Sequence, residues 1–254
     1  MILFHRITPF AIGLLGAAGF IMLILTPFSL GIPALICFGI VLLLFARLLV
    51  WDFRRTGFWV FLGMPFFLLV SSLAFFLLLE HEGGKWLLAT TVTLGLVLFS
   101  ENLFSFYHLP RAYQAYSLEY LSLMLAVAGL FFTTSATYLA QVFLEAPLWA
   151  TAPLIAFITF SVFVAVFWVS KMSWEAGRMY AGMGALLLTE VYIACSWLPT
   201  GYTTNAAIFA VCVAWYLGIM RAHAFQKVNR QLLIKHSVFA ASLLLFLFLT
   251  TPWR

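Results

Sequence analysis

The sequence predicts an all-α polytopic transmembrane bundle of about nine spans, with the N-terminus cytoplasmic and the C-terminus outside. Three observations predict it. First, 65% of the 254 residues are hydrophobic and only 8% are charged, against roughly 25% charged in soluble domains. So few polar side chains do not cover a water-soluble body of this size. Second, apolar runs of about 20 residues, enough to cross a hydrocarbon core of about 30 Å as helix, recur along the whole chain. They lack the period-two alternation of a membrane β-barrel. Third, the basic residues segregate when the spans alternate. Arg6, Arg47, Arg54, Arg55, Arg111, Lys171, Arg178, Arg221, Lys227, Arg230 and Lys235 fall on one side, and only Lys85 and Arg254 on the other. Basic residues in short loops are retained in the cytoplasm, which sets the orientation. The same asymmetry accounts for the net charge of +5 without a nucleic-acid partner.

The first span is read at 8–27. His5 and Arg6 precede it as in a signal peptide, but the small residues Gly16-Ala17-Ala18-Gly19 lie inside the apolar run instead of after it, so an uncleaved helix is expected. The second span, 30–50, follows the stretch Pro27 to Pro33, which reads as a tight hairpin. Counting that hairpin as re-entrant gives an eight-span alternative. In the third span, 57–79, Pro65 removes a helix hydrogen bond near Gly63 and is expected to kink the helix. Gly83-Gly84 introduces the fourth span at 86–108, Pro110 the fifth at 115–142, and Pro147 the sixth at 148–170. The seventh covers 177–198. Pro199-Thr200-Gly201 separates it from the eighth, 203–223, and the polar stretch Ala224 to Leu232 leads to the ninth, 233–251. Residues 1–254 read as one integral membrane domain with no soluble domain. The triplet Phe-Trp-Val occurs at 58–60 and 167–169, but the flanking residues do not match and no repeat is visible.

Small residues mark expected helix contacts, Gly13, Gly16, Ala17 and Gly19 in the first span and Ala181, Gly182, Gly184 and Ala185 in the seventh, where backbones approach closely. Cys37, Cys195 and Cys212 sit within spans without partners at metal-ligand spacing and read as small apolar fillers.

Three carboxylates, Glu101, Glu119 and Glu190, fall inside apolar spans, where charge is expensive and tends to mark function. Helix rise places Glu101 about 10 Å inside the cytoplasmic boundary and Glu119 at a similar depth on the next span. Glu101, Asn102, Ser105, Glu119 and Ser122 are therefore expected to form one polar layer, with Tyr113, Tyr116 and Tyr120 as a stripe on the helix of Glu119. In the outer half, Thr90, Thr91 and Thr93 of the fourth span and Thr133, Thr134, Thr137 and Gln141 of the fifth are candidates to join Glu190 in a polar track. Such a site binds a proton, a cation or a polar headgroup. The plainer reading is helix glue: a carboxyl among apolar atoms favours its neutral form and donates a hydrogen bond, contributing about 0.6 kcal/mol between helices on average.

His5, His108, His223 and His236 lie at the cytoplasmic rim and His81 outside, none with a second ligand one turn away. No metal site and no cofactor are expected. Arg221, Lys227, Arg230 and Lys235, interleaved with Phe225, Val228 and Leu232, form a weak candidate for anionic lipid headgroups. The outer loop Glu80 to Lys85 reads as a solvated turn. No His-Glu-x-x-His, no Gly-x-Ser-x-Gly and no phosphate-binding Gly-rich loop is present. Asp52 is the only aspartate, so an aspartyl dyad is excluded. The chemistry leans away from an enzyme. Three function classes follow: a small transporter or ion-coupled carrier using the Glu101 and Glu119 site, a structural or assembly subunit that meets other membrane subunits, and an intramembrane enzyme acting on lipid. The minimal loops, with no organelle address, point to a prokaryotic plasma membrane.

Overall fold

Helix is the regular structure of this chain. A computed structural model describes residues 2–25, 27–110, 113–114, 116–226 and 229–251. Among them lie nine helices: α1 (Ile2–Leu25), α2 (Pro27–Leu48), α3 (Thr56–Leu78), α4 (Glu82–His108), α5 (Ser117–Phe143), α6 (Leu148–Val169), α7 (Trp174–Ser196), α8 (Tyr202–Ala224) and α9 (Arg230–Thr250). Each is long and apolar enough to cross a membrane. The chain is a multi-pass helical membrane protein.

Two turn expectations are corrected. Residues 27–33 are the opening turns of α2, so no separate hairpin lies there and the nine-span reading stands over the eight-span one. Pro27 takes the first helical position, where a missing N–H has no helical acceptor to lose. Gly83 and Gly84 likewise belong to the first turn of α4. A Cβ at Gly84 would stand 2.9 Å from Leu79, so glycine there lets the chain leave α3 tightly.

The helices gather into two compact units, residues 1–125 and 126–254. In the first, α1 lies along both α2 and α4, and α3 packs on α2 and α4. Glycines bring α1 close to its neighbours. A Cβ on Gly13 would meet Val97 at 2.5 Å, and one on Gly19 would meet the Phe38 ring at 2.8 Å. Phe20 packs edge-on to Phe38 at 5.0 Å and tilts toward Phe76 at 6.1 Å, all three buried.

In the second unit α6 runs along α7, α7 packs on α8, and α8 on α9. Gly184 is the pivot. Phe163 of α6 and Tyr216 of α8 stack at 5.5 Å and 8°, and both rings occupy the space a Cβ at 184 would need. The Tyr216 hydroxyl donates to the Tyr180 carbonyl at 2.6 Å. The outermost helix is held lightly. No residue of α9 is buried; it meets α8 where His236 lies over Gly218 and where Trp215 Nε1 donates to Ser237 Oγ at 3.2 Å.

Helix ends are closed without glycine. Val50, Trp51, Tyr116, Glu145, Lys171 and Gln226 all have positive φ. At the end of α2, Trp51 N–H donates to Ala46 and Val50 N–H to Arg47; at the end of α6, Met172 N–H donates to Phe167 and Lys171 N–H to Trp168. Both are the paired bonds of a left-handed helix cap, normally a glycine position. Val50, β-branched at φ 58°, carries the greatest strain.

Two outcomes test this packing. Gly184→Ala lowers the melting temperature in detergent well below that of Gly63→Ala, because Gly63 has open space around its Cβ position and alanine favours helix by about 1 kcal/mol. Val50→Gly raises stability by about 1 kcal/mol through relief of the left-handed strain, read as a shift in the same unfolding transition.

Candidate functional site

The residues singled out in the sequence divide between a helix joint, an aromatic knot and two outward faces. The joint links α4 to α5. Sequence periodicity places Tyr113, Tyr116 and Glu119 on one helix, but α5 begins only at Ser117. Tyr116 at φ 69° turns the chain, and its carbonyl accepts the first helical bond, from Tyr120 N–H at 3.1 Å. Tyr113 folds back before the helix. Its hydroxyl accepts the Leu118 N–H at 3.2 Å, capping a donor that the first turn leaves without a helical partner, while its ring packs on Phe106 at 5.2 Å. Ser117 donates to Asn102 Oδ1 at 2.7 Å, and Asn102 Nδ2 donates to the Leu98 carbonyl at 2.9 Å.

The joint also sets Glu119 close to the start of its helix: as the third residue of α5, it lies about 3 Å along the axis from the helix start. Its side chain is 6% exposed, and the positive end of a helix dipole favours a carboxylate there. Glu101 behaves differently: it is exposed and forms no hydrogen bond or ion pair among the described residues. Ser105 is half-buried and Tyr116 and Tyr120 are exposed.

The knot lies in the second unit. Tyr138 and Tyr192 stack at 4.6 Å and 19°, and the Tyr138 hydroxyl donates to the Tyr192 carbonyl at 2.9 Å. Gln141 Nε2 donates to Thr151 Oγ1 at 2.7 Å and to Tyr192 Oη at 3.0 Å. Of the expected outer track, Gln141 joins another helix through these side-chain bonds, and Thr137 through a side-chain hydrogen bond with Tyr192. Thr133 and Thr134 donate to Gly129 and Leu130 of their own helix, as Thr90 and Thr91 do to Trp86 and Leu87. Glu190 is not in the knot. It is exposed while Tyr192, two residues on, is fully buried, because residues two apart on a helix point to nearly opposite sides. Sequence reasoning missed Tyr138, Tyr192 and Thr151. A tyrosine deep in an apolar span needs a partner for its hydroxyl, and that signal was present.

Of the basic candidates, Arg221 is half-buried near the end of α8, Arg230 and Lys235 are exposed on α9, and Lys227 lies outside the described residues. Among the described residues no three His, Cys, Asp or Glu side chains gather as metal ligands. Two clefts open in the second unit. One, of about 420 Å³, is lined by Phe160, Glu175, Arg178 and Met179. The other, of about 510 Å³, lies between the α6–α7 connection and the end of α8.

Compared with protein-family models, curated proteins and solved structures, the chain matches none.

The knot yields a coupling measurement. Gln141→Leu and Thr151→Val each destabilise by about 1 kcal/mol, and the double variant costs less than the sum, because both remove one shared bond. Strict additivity in detergent unfolding would separate Gln141 from Thr151.

Proposed function

We propose that the protein is an assembly subunit of a membrane complex, which receives partner transmembrane helices on the outward faces of α4 and α7. The observation that carries this reading is the setting of Glu101. On α4 the exposed residues Leu87, Thr91, Leu94, Leu98 and Glu101 recur at alternating steps of four and three, the spacing of a helix–helix seam. On α7, Met179, Met183, Leu186 and Glu190 do the same, all exposed. A carboxyl in an otherwise apolar, outward stripe is costly against lipid. A partner helix that offers a lysine, arginine, histidine or amide at that level removes the cost and fixes the register. A prokaryotic plasma membrane is the setting we assign, on the strength of the minimal connections.

The carrier reading has one observation behind it, the burial of Glu119 beside the hydroxyl-rich α4–α5 joint. It requires Glu101 and Glu119 to serve one water-filled site, and their difference in exposure favours assembly instead. The lipid-enzyme reading has no comparable support.

In-cell photo-cross-linking decides between the first two. A photoreactive residue at position 98 or 183 forms a discrete protein adduct, and Glu101→Leu abolishes the adduct from position 98. Adducts to lipid alone at both positions would remove the assembly reading. Loss of an ion or solute flux on Glu119→Gln, with the fold retained, would install the carrier.

A further inference from the structure

The cleft of about 510 Å³ in the second unit is lined by the connection Ser170 to Ser173, by Ala176 and Tyr180 one turn apart on α7, and by His223 to Gln226 at the end of α8. We propose that it binds an anionic phosphate group, carried by a lipid headgroup or by a small soluble phosphate.

Four features point to an anion. The N-terminus of α7 opens on the cleft through Ser173 and Ala176. Its first helical bond runs from Gly177 N–H to the Ser173 carbonyl at 2.8 Å, and Ser173, the N-cap, makes no side-chain capping bond. The N–H groups of Trp174, Glu175 and Ala176 therefore precede the helical ladder, and such donors with the helix dipole favour negative charge. Ser170 supplies an independent observation. It lines the cleft, is 1% exposed, and its hydroxyl has no hydrogen-bond partner among the described residues. A buried hydroxyl left without a partner is costly, and at the wall of this cleft an anion is an acceptor that would satisfy it.

The remaining lining fits the same ligand. Lys171, held at φ 59° by the cap of α6, and His223, edge-on to Tyr180 at 5.8 Å, bring a point charge and a ring N–H. No carboxylate is among the lining residues; Glu175 lines the other cleft beside Arg178. A cation would find no anionic ligand here, whereas a phosphate finds donors from three segments. The volume lies within the range of ligand sites, about 300–1,000 Å³. The cleft sits at the ends of three apolar helices, with Trp174 exposed beside it, where headgroups lie when those helices cross a bilayer.

The test uses the full chain, purified in uncharged detergent. Short-chain phosphatidylglycerol, short-chain phosphatidylcholine and inorganic phosphate are titrated while bound species are counted by native mass spectrometry and unfolding is followed by heat. The anionic lipid binds the wild-type protein, and Lys171→Gln weakens it by about tenfold, the loss of one charge-assisted contact. Ser170→Ala also weakens binding but leaves the ligand-free melting temperature unchanged or higher, since it removes an unsatisfied hydroxyl. Arg54→Gln, which removes an exposed charge in the first unit, leaves binding unchanged. If inorganic phosphate binds with the same dependence on Lys171 and Ser170, the ligand is a soluble phosphate; if only the lipid does, it is a headgroup. Binding indifferent to both Lys171→Gln and Ser170→Ala, or no binding of either lipid or of inorganic phosphate, overturns the proposal.

Discussion

Between helices in lipid there is little hydrophobic force to gain, because a neighbouring acyl chain is as apolar as a neighbouring leucine. Association then depends on how closely backbones and rings fit, and in this chain glycine sets that distance. Gly184 has the largest consequence: its missing side chain is the volume in which a ring from α6 meets a ring from α8. Three helices are thereby in mutual contact at one level, and the Tyr216 hydroxyl finds a carbonyl on α7. Gly13 and Gly19 play the corresponding part for α1 against Val97 and Phe38. The many phenylalanines would be interchangeable hydrocarbon without these gaps to receive them.

A second constraint follows from the first. With no water at depth, each polar group must find a partner within the protein. Most hydroxyls take the cheapest solution, a carbonyl one turn back on their own helix. That is why a sequence dotted with threonine builds no polar channel from Thr90, Thr91, Thr133 and Thr134. Among the described residues, polar contacts between helices include the Tyr138–Gln141–Tyr192 knot, the Asn102–Ser117 joint and the bonds Tyr216–Tyr180 and Trp215–Ser237. Ser122, Ser135 and Thr159 are buried and their hydroxyls have no partner among the described residues, each costing about 1–3 kcal/mol. Against that economy, two carboxyls left on outward faces stand out.

Much of this was legible in the sequence. Nine apolar runs became nine helices, since length and hydropathy alone dictate a span. Gly13, Gly19 and Gly184 do sit at close approaches, and Gly182, flagged beside them, has open space. What was not legible was rotation about each helix axis. Glu101 and Asn102 are adjacent in sequence and differ in environment, and Glu190 is turned away from the residues it was grouped with. The start of α5 was also hidden, because nothing before Ser117 resembles a helix cap; the cap comes from Tyr113, which reads as a helical residue until its ring is seen folded back on Phe106. Ser170 gave no signal, since one serine at a span end looks like any other.

The light attachment of α9 bears on how the chain is made. A helix with no buried residue gains little from its neighbours on entering the bilayer. Its own length and apolar composition, enough to cross a membrane, must therefore carry most of its partition into lipid. The stacked core of α6, α7 and α8 is complete before Arg230 is synthesised. Membrane integration of α9 thus draws on its own composition, whereas α6, α7 and α8 are also tied to one another by a buried aromatic stack.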